Sequence, residues 1–395
     1  MNKYFVFSAI LCLVICSAFA QENRDWFLTL EEMCQTYGYE YEEHLVTSDD
    51  GYVTMLQRIR ARLGDEDQNR EPFYISMFPG AFEAALFLRG PDESPGFRIV
   101  DAGFDLWFLN PRGSANSLGH VNHDITPAEY WHYDLVDMAQ DQIAALNFIL
   151  DTTGYSQVHA QGFSTGGLLL GYAIALNPEF FNPRISSLHY VAGTMNYANT
   201  RSFQYQFLAS IPDVLATLED FGFYQTSTPN IPINVLQGTS CSLMPHVCIY
   251  LWQFAGIPAD PNYDDTEGFS NYLYRGLPGF GTHLMAHIVQ SFRTKQVSYF
   301  DYGEEGNLEA YGQAEPPRIP YENHDLPVAM YYSYEDDYAD MEDAEWFADI
   351  LGDTVVTFNK YSGYSHFSFE IGKDMYYLDD MFDVLQDYPI EVSSN

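Results

Sequence analysis

The chain has 395 residues and carries 55 acidic against 17 basic side chains, which gives a formal net charge of −38. A field of this sign argues against nucleic acids and anionic membranes as partners. The sequence contains no Cys/His cluster with zinc spacing, no phosphate-binding glycine loop and no internal repeat, so we predict no metal and no cofactor.

Residues 1–20 have the layout of a secretory signal peptide. Lys3 supplies the positive end, residues 5–16 form the apolar run, and Ala18-Phe19-Ala20 is a small-x-small cleavage site. No other apolar stretch is long enough for a transmembrane anchor. We therefore expect a secreted protein without residues 1–20, with the extracellular space and the lysosome both open as destinations.

Three cysteines lie outside the signal peptide. Cys241 and Cys248 are close enough in sequence to form a disulfide in an oxidising compartment. Cys34 is then left over, and we expect it to be a buried free thiol.

The first half of the chain alternates strand and helix patterns. Residues 39–60 read as two strands around a turn, and residues 72–78 and 105–109 read as buried strands. Apolar residues then keep helical spacing over 135–149. This alternation is typical of a largely parallel sheet with helices on its faces.

The next stretch, residues 158–170, contains Gly-x-Ser-x-Gly with Ser164 at its centre. The pentapeptide alone is a weak signal, but a strand pattern precedes it and an apolar helix pattern follows. Strand, sharp turn and helix is the context of a nucleophile elbow, in which the serine hydroxyl is exposed at the apex. Glycines two residues to either side remove the Cβ atoms that would clash there.

After one more strand at 188–192 the pattern changes. Residues 195–319 are rich in aromatics, proline and glycine, with helical patches such as 284–292 but no strand–helix alternation. We interpret them as an insertion. The sheet pattern resumes at 326–332 and 354–358, and an amphipathic helix over 375–385 ends the chain.

The late strands are followed by an acid and a histidine in the order that an α/β-hydrolase requires after its serine. Asp336 follows the strand at 326–332, with Asp337 as its nearest rival, and His366 follows the strand at 354–358. The histidine would take the proton of Ser164, and an ionised carboxylate would fix its tautomer. Ala81 and Thr165 are the predicted backbone N–H donors of an oxyanion hole.

With these residues in place, the sequence resembles the acid lipases typified by gastric and lysosomal acid lipase. The resemblance extends over nearly all of the mature chain and is clearest in short islands in the family's order. These islands are Gly38-Tyr39, Asp50-Gly51-Tyr52, residues 101–107, residues 110–113, the elbow, residues 336–340 and residues 364–367.

The resemblance implies an α/β-hydrolase fold, a mostly parallel sheet flanked by helices, with an inserted, mainly helical cap or lid. The predicted divisions are 1–20 signal peptide, 21–194 first part of the core, 195–319 cap, and 320–395 second part of the core. It also implies a triad of Ser164, Asp336 and His366, oxyanion donors at Ala81 and Thr165, and a cap disulfide between Cys241 and Cys248.

Three positions depart from the family pattern. Pro79 stands where the family has histidine before the oxyanion turn, and Phe163 and Thr165 flank the serine where the family has histidine and glutamine. Backbone donation survives any side chain except proline, so the oxyanion hole is not lost in principle. These departures favour one alternative, a lipid-binding or storage protein on the lipase fold with weak or no catalysis.

The function implied by the resemblance is a secreted serine ester hydrolase that cleaves apolar carboxylic esters through an acyl-enzyme. Its partner would be a lipid or ester substrate, with transient contact to a lipid interface through the cap. Aromatic residues of the cap are expected either to cover the acyl chain or simply to pack the cap: Trp252, Phe254, Tyr272, Tyr274, Phe280 and Phe292.

Overall fold

The computed structural model describes residues 28–67, 69–78, 83–211, 214–225, 231–254, 259–275 and 281–390, apart from the side chains of residues 83, 84, 231, 232 and 254. The predicted signal peptide at 1–20 lies outside these ranges. Within them, no helix is long and apolar enough to cross a membrane.

Nine strands in the described residues form one mixed sheet in the order β1-β2-β4-β3-β6-β7-β8-β9, with β5 paired to β2. Their bounds are Tyr39–Thr47 (β1), Tyr52–Arg62 (β2), Pro72–Ser76 (β3), Asp105–Asn110 (β4), Gly119–His120 (β5), Val158–Phe163 (β6), Ile185–Val191 (β7), Val328–Ser333 (β8) and Val355–Tyr361 (β9). The strands from β4 to β9 along this order pair in parallel, whereas β2 is antiparallel to β1, β4 and β5. The predicted largely parallel sheet is therefore confirmed.

The central strands are covered on both faces. Every residue of β3, β4, β6 and β8 is buried. Strands buried on both sides need no alternation of polar and apolar residues, which explains their nearly continuous apolar sequences. All the strands that were predicted from the sequence are present, with ends that differ by a few residues.

The helices outside the stretch between β7 and β8 precede, connect or follow these strands. They are Leu30–Tyr37 (α1), Pro95–Asp101 (α2), Pro127–Tyr130 (α3), Ala139–Thr153 (α4), Thr165–Leu176 (α5), Pro178–Phe181 (α6), Met341–Leu351 (α14), Ser368–Ile371 (α15) and Tyr377–Asp387 (α16). The helix predicted to begin near Leu135 begins at Ala139 instead. The reason is local, because the Asp134 carboxylate accepts hydrogen bonds from the backbone N–H groups of Val136 and Asp137 and forms a turn there.

The chain between β7 and β8 folds into helices in the residues described. They are Phe203–Ser210 (α7), Val214–Asp220 (α8), Ile231–Leu243 (α9), Pro245–Phe254 (α10), Thr266–Arg275 (α11), Thr282–Thr294 (α12) and Gly303–Tyr311 (α13). Cys241 and Cys248 form a disulfide that joins α9 to α10. Cys34 is a buried free cysteine. The division of the chain at 195 and 319 stays a prediction.

Arg112 ties the loop after β4 to two other elements. Its guanidinium donates to the buried carboxylate of Asp141 in α4 at 2.7 Å and to Asp50 in the β1–β2 turn at 2.6 Å. It also lies over the Tyr52 ring, 3.8 Å from the ring centroid. The pairing satisfies a charge that would otherwise be costly to bury.

Candidate active site

Ser164 lies between the end of β6 and the start of α5, at the apex of the predicted elbow. Its backbone has φ 53° and ψ −129°, a conformation that side-chain-bearing residues rarely adopt. Hydrogen bonds hold it there: the Ser164 N–H donates to Val191 O at 3.2 Å, and the Thr194 N–H donates to Ser164 O at 3.1 Å. The neighbouring strand β7 thus supports the strained residue.

The glycines of the motif are required because backbone atoms of neighbouring elements approach them closely. A Cβ atom on Gly162 would lie 2.4 Å from the Cα of Gly167, and one on Gly166 would lie 2.1 Å from the carbonyl oxygen of Ser76. These obstacles are backbone atoms, which cannot move aside as a flexible side chain can. Only glycine at both positions lets β6, β3 and α5 pack closely around the serine.

The structure brings Ser164, His366 and Asp336 together. The Ser164 Oγ hydroxyl donates to His366 Nε2 at 2.6 Å, and His366 Nδ1–H donates to Asp336 Oδ2 at 2.8 Å. The serine and histidine are 202 positions apart in the chain. All three side chains are buried, with Ser164 8% exposed. The arrangement can move a proton from a hydroxyl to an imidazole whose orientation a carboxylate holds.

Asp336 and its sequence neighbour Asp337 have different partners. The second oxygen of Asp336 accepts from the backbone N–H groups of Tyr338 and Ala339 at 2.7 and 3.0 Å. Asp337 instead pairs with Arg201, Nε to Oδ1, at 3.0 Å. The geometry thus places Asp336, and not Asp337, against His366.

Arg201 organises the acid loop and was not singled out by the sequence. Its guanidinium donates to the carboxylates of Asp337 and Asp340 and to the backbone carbonyls of Tyr334 and Asp336, at 2.8 to 3.1 Å. These partners lie 133 to 139 positions further along the chain. No motif or periodicity links residues so far apart, so only the folded structure identifies this contact.

Phe163, one of the departures from the family pattern, packs on the histidine. Its ring lies 5.2 Å from the His366 ring, centroid to centroid, at an interplanar angle of 29°. Tyr338 also contacts the imidazole, at 5.2 Å and 42°. Aromatic neighbours restrict the rotation of the imidazole and keep water from it.

Of the two predicted oxyanion donors, only Thr165 lies in the part of the chain that the structure describes. Thr165 is the first residue of α5, a position whose backbone N–H has no acceptor within the helix. Its hydroxyl forms a hydrogen bond with the buried hydroxyl of Tyr197, with the two oxygens 2.8 Å apart. Ala81 and Pro79 lie outside the described residues.

Helices of the predicted cap contact residues next to the histidine. Tyr205 of α7 packs on Tyr338, with ring centroids 5.4 Å apart, and Tyr272 of α11 packs on Phe367 at 4.8 Å. Of the other aromatic residues that were expected to cover an acyl chain or to pack the cap, Tyr274 is buried, and Trp252 and Phe292 are partly buried against the core. The side chain of Phe254 and all of Phe280 lie outside the described residues.

Two known families match the chain. Residues 30–76 match the family described as a partial α/β-hydrolase lipase region, and residues 90–221 match the family described as the α/β hydrolase fold.

Individual relatives match over most of the chain. A tear acid lipase-like protein of Mesocricetus auratus is 25% identical over 382 residues, which is 92% of each chain. A putative lysosomal acid lipase/cholesteryl ester hydrolase of Crotalus adamanteus is 27% identical over 324 residues, 80% of each chain. Among solved structures, a monoglyceride lipase of Saccharomyces cerevisiae aligns over 88% of this chain and 97% of its own length. The TM-score is 0.54 and the identity is 13%, so this likeness is one of fold.

The fold and these matches define the class of the protein, a carboxylic ester hydrolase with the α/β-hydrolase fold. Within that class the chain is similar to the acid lipases, as its sequence motifs predicted.

Proposed function

We propose that this protein is a secreted serine hydrolase that cleaves apolar carboxylic esters through an acyl-enzyme on Ser164. The observation that carries the proposal is the continuous hydrogen-bonded path from Ser164 Oγ through His366 to Asp336, with distances of 2.6 and 2.8 Å. The strained backbone of Ser164 supports it, because such strain is typical of a nucleophile held in place by its surroundings.

In the proposed reaction, Ser164 Oγ attacks the ester carbonyl carbon while His366 Nε2 accepts the hydroxyl proton. The tetrahedral intermediate then collapses, the bond to the alcohol oxygen breaks, and His366 returns the proton to the departing alcohol. A water molecule, deprotonated by His366, attacks the acyl-enzyme and releases the carboxylic acid and free Ser164. Asp336 stays ionised throughout and stabilises the imidazolium that forms in each half-reaction.

The negative charge of each tetrahedral intermediate requires preorganised donors. The backbone N–H of Thr165 is the donor supported by the structure, since it stands directly after the nucleophile at the start of α5. The backbone N–H of Ala81 is the second donor in this proposal. Apart from the ester and the water, every group in this proposal belongs to the polypeptide, so the proposed reaction uses no cofactor.

The surface of the predicted cap supports an apolar substrate presented at a lipid interface. Large apolar side chains stand exposed on and beside α7 to α10, among them Phe221 at 75%, Leu236 at 67% and Leu251 at 66%. A concentration of exposed large apolar side chains in one stretch of the chain favours an interaction site over an ordinary solvated surface. The sequence from residue 202 to 274 contains no Lys or Arg, so adsorption would depend on apolar burial and not on anionic headgroups.

Secretion is part of the proposal and rests on the signal-like sequence of residues 1–20 and on the Cys241–Cys248 disulfide, which suits an oxidising compartment. We expect protein recovered from the medium of expressing eukaryotic cells to begin at Gln21. N-terminal sequencing measures this directly, and an intact residue 1 on exported protein would contradict it.

Covalent labelling tests the mechanism. A fluorophosphonate should add once to the native protein and not to Ser164→Ala, because an activated serine attacks this reagent whatever its natural substrate. Intact-mass analysis gives the count, and circular dichroism verifies that both proteins are folded. A folded wild type that stays unlabelled would favour the alternative of a lipid-binding protein without catalysis.

A further inference from the structure

Asp264 is a buried carboxylate outside the triad that reaches the turn carrying His366. It precedes α11 and is 0% exposed. One oxygen accepts from the Ser365 hydroxyl at 2.7 Å and from the Asp260 N–H at 2.6 Å, and the other oxygen accepts from the Ser368 hydroxyl. The two serines stand on either side of His366, so one carboxylate holds both flanks of the predicted base.

The backbone beside Asp264 reinforces this contact. The Asp265 N–H donates to Ile371 O at 2.7 Å, and the Lys373 N–H donates to Tyr263 O at 2.8 Å. The Lys373 ammonium also donates to the carbonyl of Pro261 at 2.8 Å. The short segment 260–265 therefore docks along residues 371–373, directly after the turn.

The hydrolase core holds the turn from its other side. The Ser333 hydroxyl, at the end of β8, donates to Tyr364 O at 2.8 Å. The turn from 364 to 368 is thus fixed between the sheet and a segment of the chain inserted between β7 and β8. Burial raises the pKa of Asp264 to about 6, the nearby Asp260 charge adds to the rise, and the two serine hydroxyls oppose it. At neutral pH the carboxylate is ionised and able to accept all three bonds.

We propose that Asp264 is a positioning residue for His366, which it orients toward Ser164 by binding the two serines that flank the histidine. The inference rests on the proposed function and adds a residue from the chain between β7 and β8. Its physical basis is that proton transfer requires His366 Nε2 to stay within hydrogen-bond reach of Ser164 Oγ, and a misplacement of about 1 Å costs on the order of 100-fold in rate.

The test uses full-length protein and a water-soluble p-nitrophenyl ester, so that adsorption to a lipid surface does not enter. Asp264→Ala should lower kcat on the order of 10- to 100-fold and leave KM within about twofold, because substrate contacts are unchanged. Asp264→Asn should recover much of the loss, since its amide oxygen still accepts from one serine. The rate of fluorophosphonate labelling should fall in parallel with kcat.

Two further sets of variants make the test specific. Ser365→Ala and Ser368→Ala should each lower kcat by roughly 3- to 10-fold, and should add little in the Asp264→Ala background, since the partners act through one contact. They also carry the test if Asp264→Ala does not fold. Asp105→Asn is the matched control, because Asp105 is a buried carboxylate at the start of β4, away from the carboxyl ends of the strands that Ser164 and Asp336 follow, and is paired with Arg58 at 2.8 Å. It should lower the melting temperature without changing kcat.

The outcomes separate the two proposals. A wild type that neither hydrolyses the ester nor takes the label would overturn the proposed function and this inference with it. An active wild type with folded Asp264→Ala and serine variants of unchanged kcat would overturn the positioning role alone. The positioning role is also overturned if the loss in kcat merely tracks the loss in melting temperature and Asp105→Asn shows it equally.

Discussion

Arg201 Nε lies 3.0 Å from Asp337 Oδ1, and this contact turns Asp337 away from the histidine that its neighbour Asp336 binds. Two adjacent carboxylates are thereby assigned to different partners. The same guanidinium donates to the carbonyl oxygen of Asp336 at 2.8 Å. One exposed arginine therefore binds both the side chain of Asp337 and the backbone of Asp336, the acid that faces His366.

The first prediction concerns the two acids. Asp336→Asn should lower kcat on the order of 10⁴-fold, as in the Ser-His-Asp proteases, because an amide favours the wrong tautomer of the histidine. Asp337→Asn is the matched control and should cost less than about tenfold, since it loses only a half-exposed ion pair. Steady-state hydrolysis of a soluble ester measures both. Effects in the reverse order would mean that Asp337 is the acid.

The second prediction concerns Arg201. Arg201→Ala should lower kcat roughly tenfold by loosening the acid loop, at a stability cost of about 1–2 kcal/mol. The kcat of Arg201→Lys should lie between those of the wild type and Arg201→Ala. A single ammonium cannot reproduce the four hydrogen bonds that the planar guanidinium donates. Arg318→Ala removes a comparable exposed pair, with Glu322, away from the site and should leave kcat unchanged. Full activity in Arg201→Ala would show that the loop holds its shape without the arginine.

The third prediction concerns the elbow. Gly166→Ala should destabilise the protein by more than the ~1–3 kcal/mol of ordinary overpacking, because its Cβ would lie 2.1 Å from a backbone oxygen. Gly281→Ala is the control, as the nearest atom to its Cβ is 3.4 Å away. Urea midpoints compare the two. A Gly166→Ala protein as stable as Gly281→Ala would mean that the three elements can separate at little cost.

The fourth prediction is a pH dependence of stability. Burial raises the pKa of Glu370 from 4.5 to about 8, so the folded protein holds a proton that the unfolded chain has released. This stabilisation is full below pH 4.5 and is lost as the pH rises through 8. The range above pH 7.5 is the clearest, because the buried histidines His189, His283 and His324, whose pKa is lowered to about 3 or 4, are then neutral in the folded state and also in the unfolded chain, where the ordinary pKa is about 6.5.

Between pH 7.5 and 8.5 the free energy of unfolding of the wild type should therefore fall, with a contribution from Glu370 of up to about 1.4 kcal/mol per pH unit. Glu370→Gln should remove this slope, whereas Glu309→Gln, at an exposed position of α13, should keep it. Urea unfolding at several pH values provides the comparison. Parallel curves for wild type and Glu370→Gln would refute the assignment.

The fifth prediction concerns the apolar surface near α8 to α10. The triple variant Phe221→Ser, Leu236→Ser, Leu251→Ser should weaken adsorption to phosphatidylcholine vesicles on the order of 100-fold, from the lost burial of three large side chains. Its kcat/KM on a soluble ester should stay within about twofold of the wild type. Leu63→Ser, 62% exposed on the loop after β2, is the control and should adsorb normally. Unchanged adsorption of the triple variant would place the lipid-binding surface elsewhere.

Local rules account for what the sequence predicted well. Buried strands such as β3 and β8 are short apolar runs between turn residues, and the elbow requires glycine for steric reasons confined to a few neighbouring residues. The order of serine, acid and histidine follows from the order of the strands. The helix start predicted near Leu135 was wrong by four residues, because the Asp134 carboxylate competes there with helical hydrogen bonding.

The partners of individual side chains depended on the tertiary structure. The order of the strands did not separate Asp336 from Asp337, whereas in the structure Asp336 binds His366 and Asp337 pairs with Arg201, 136 positions away. Asp264 reaches Ser365 across 101 positions, and no motif of the sequence analysis contains Asp264. Periodicity and turn chemistry report which face of an element is buried and where it ends. They carry no information about which distant side chain meets it, because that contact exists only after the sheet and the inserted helices have packed together.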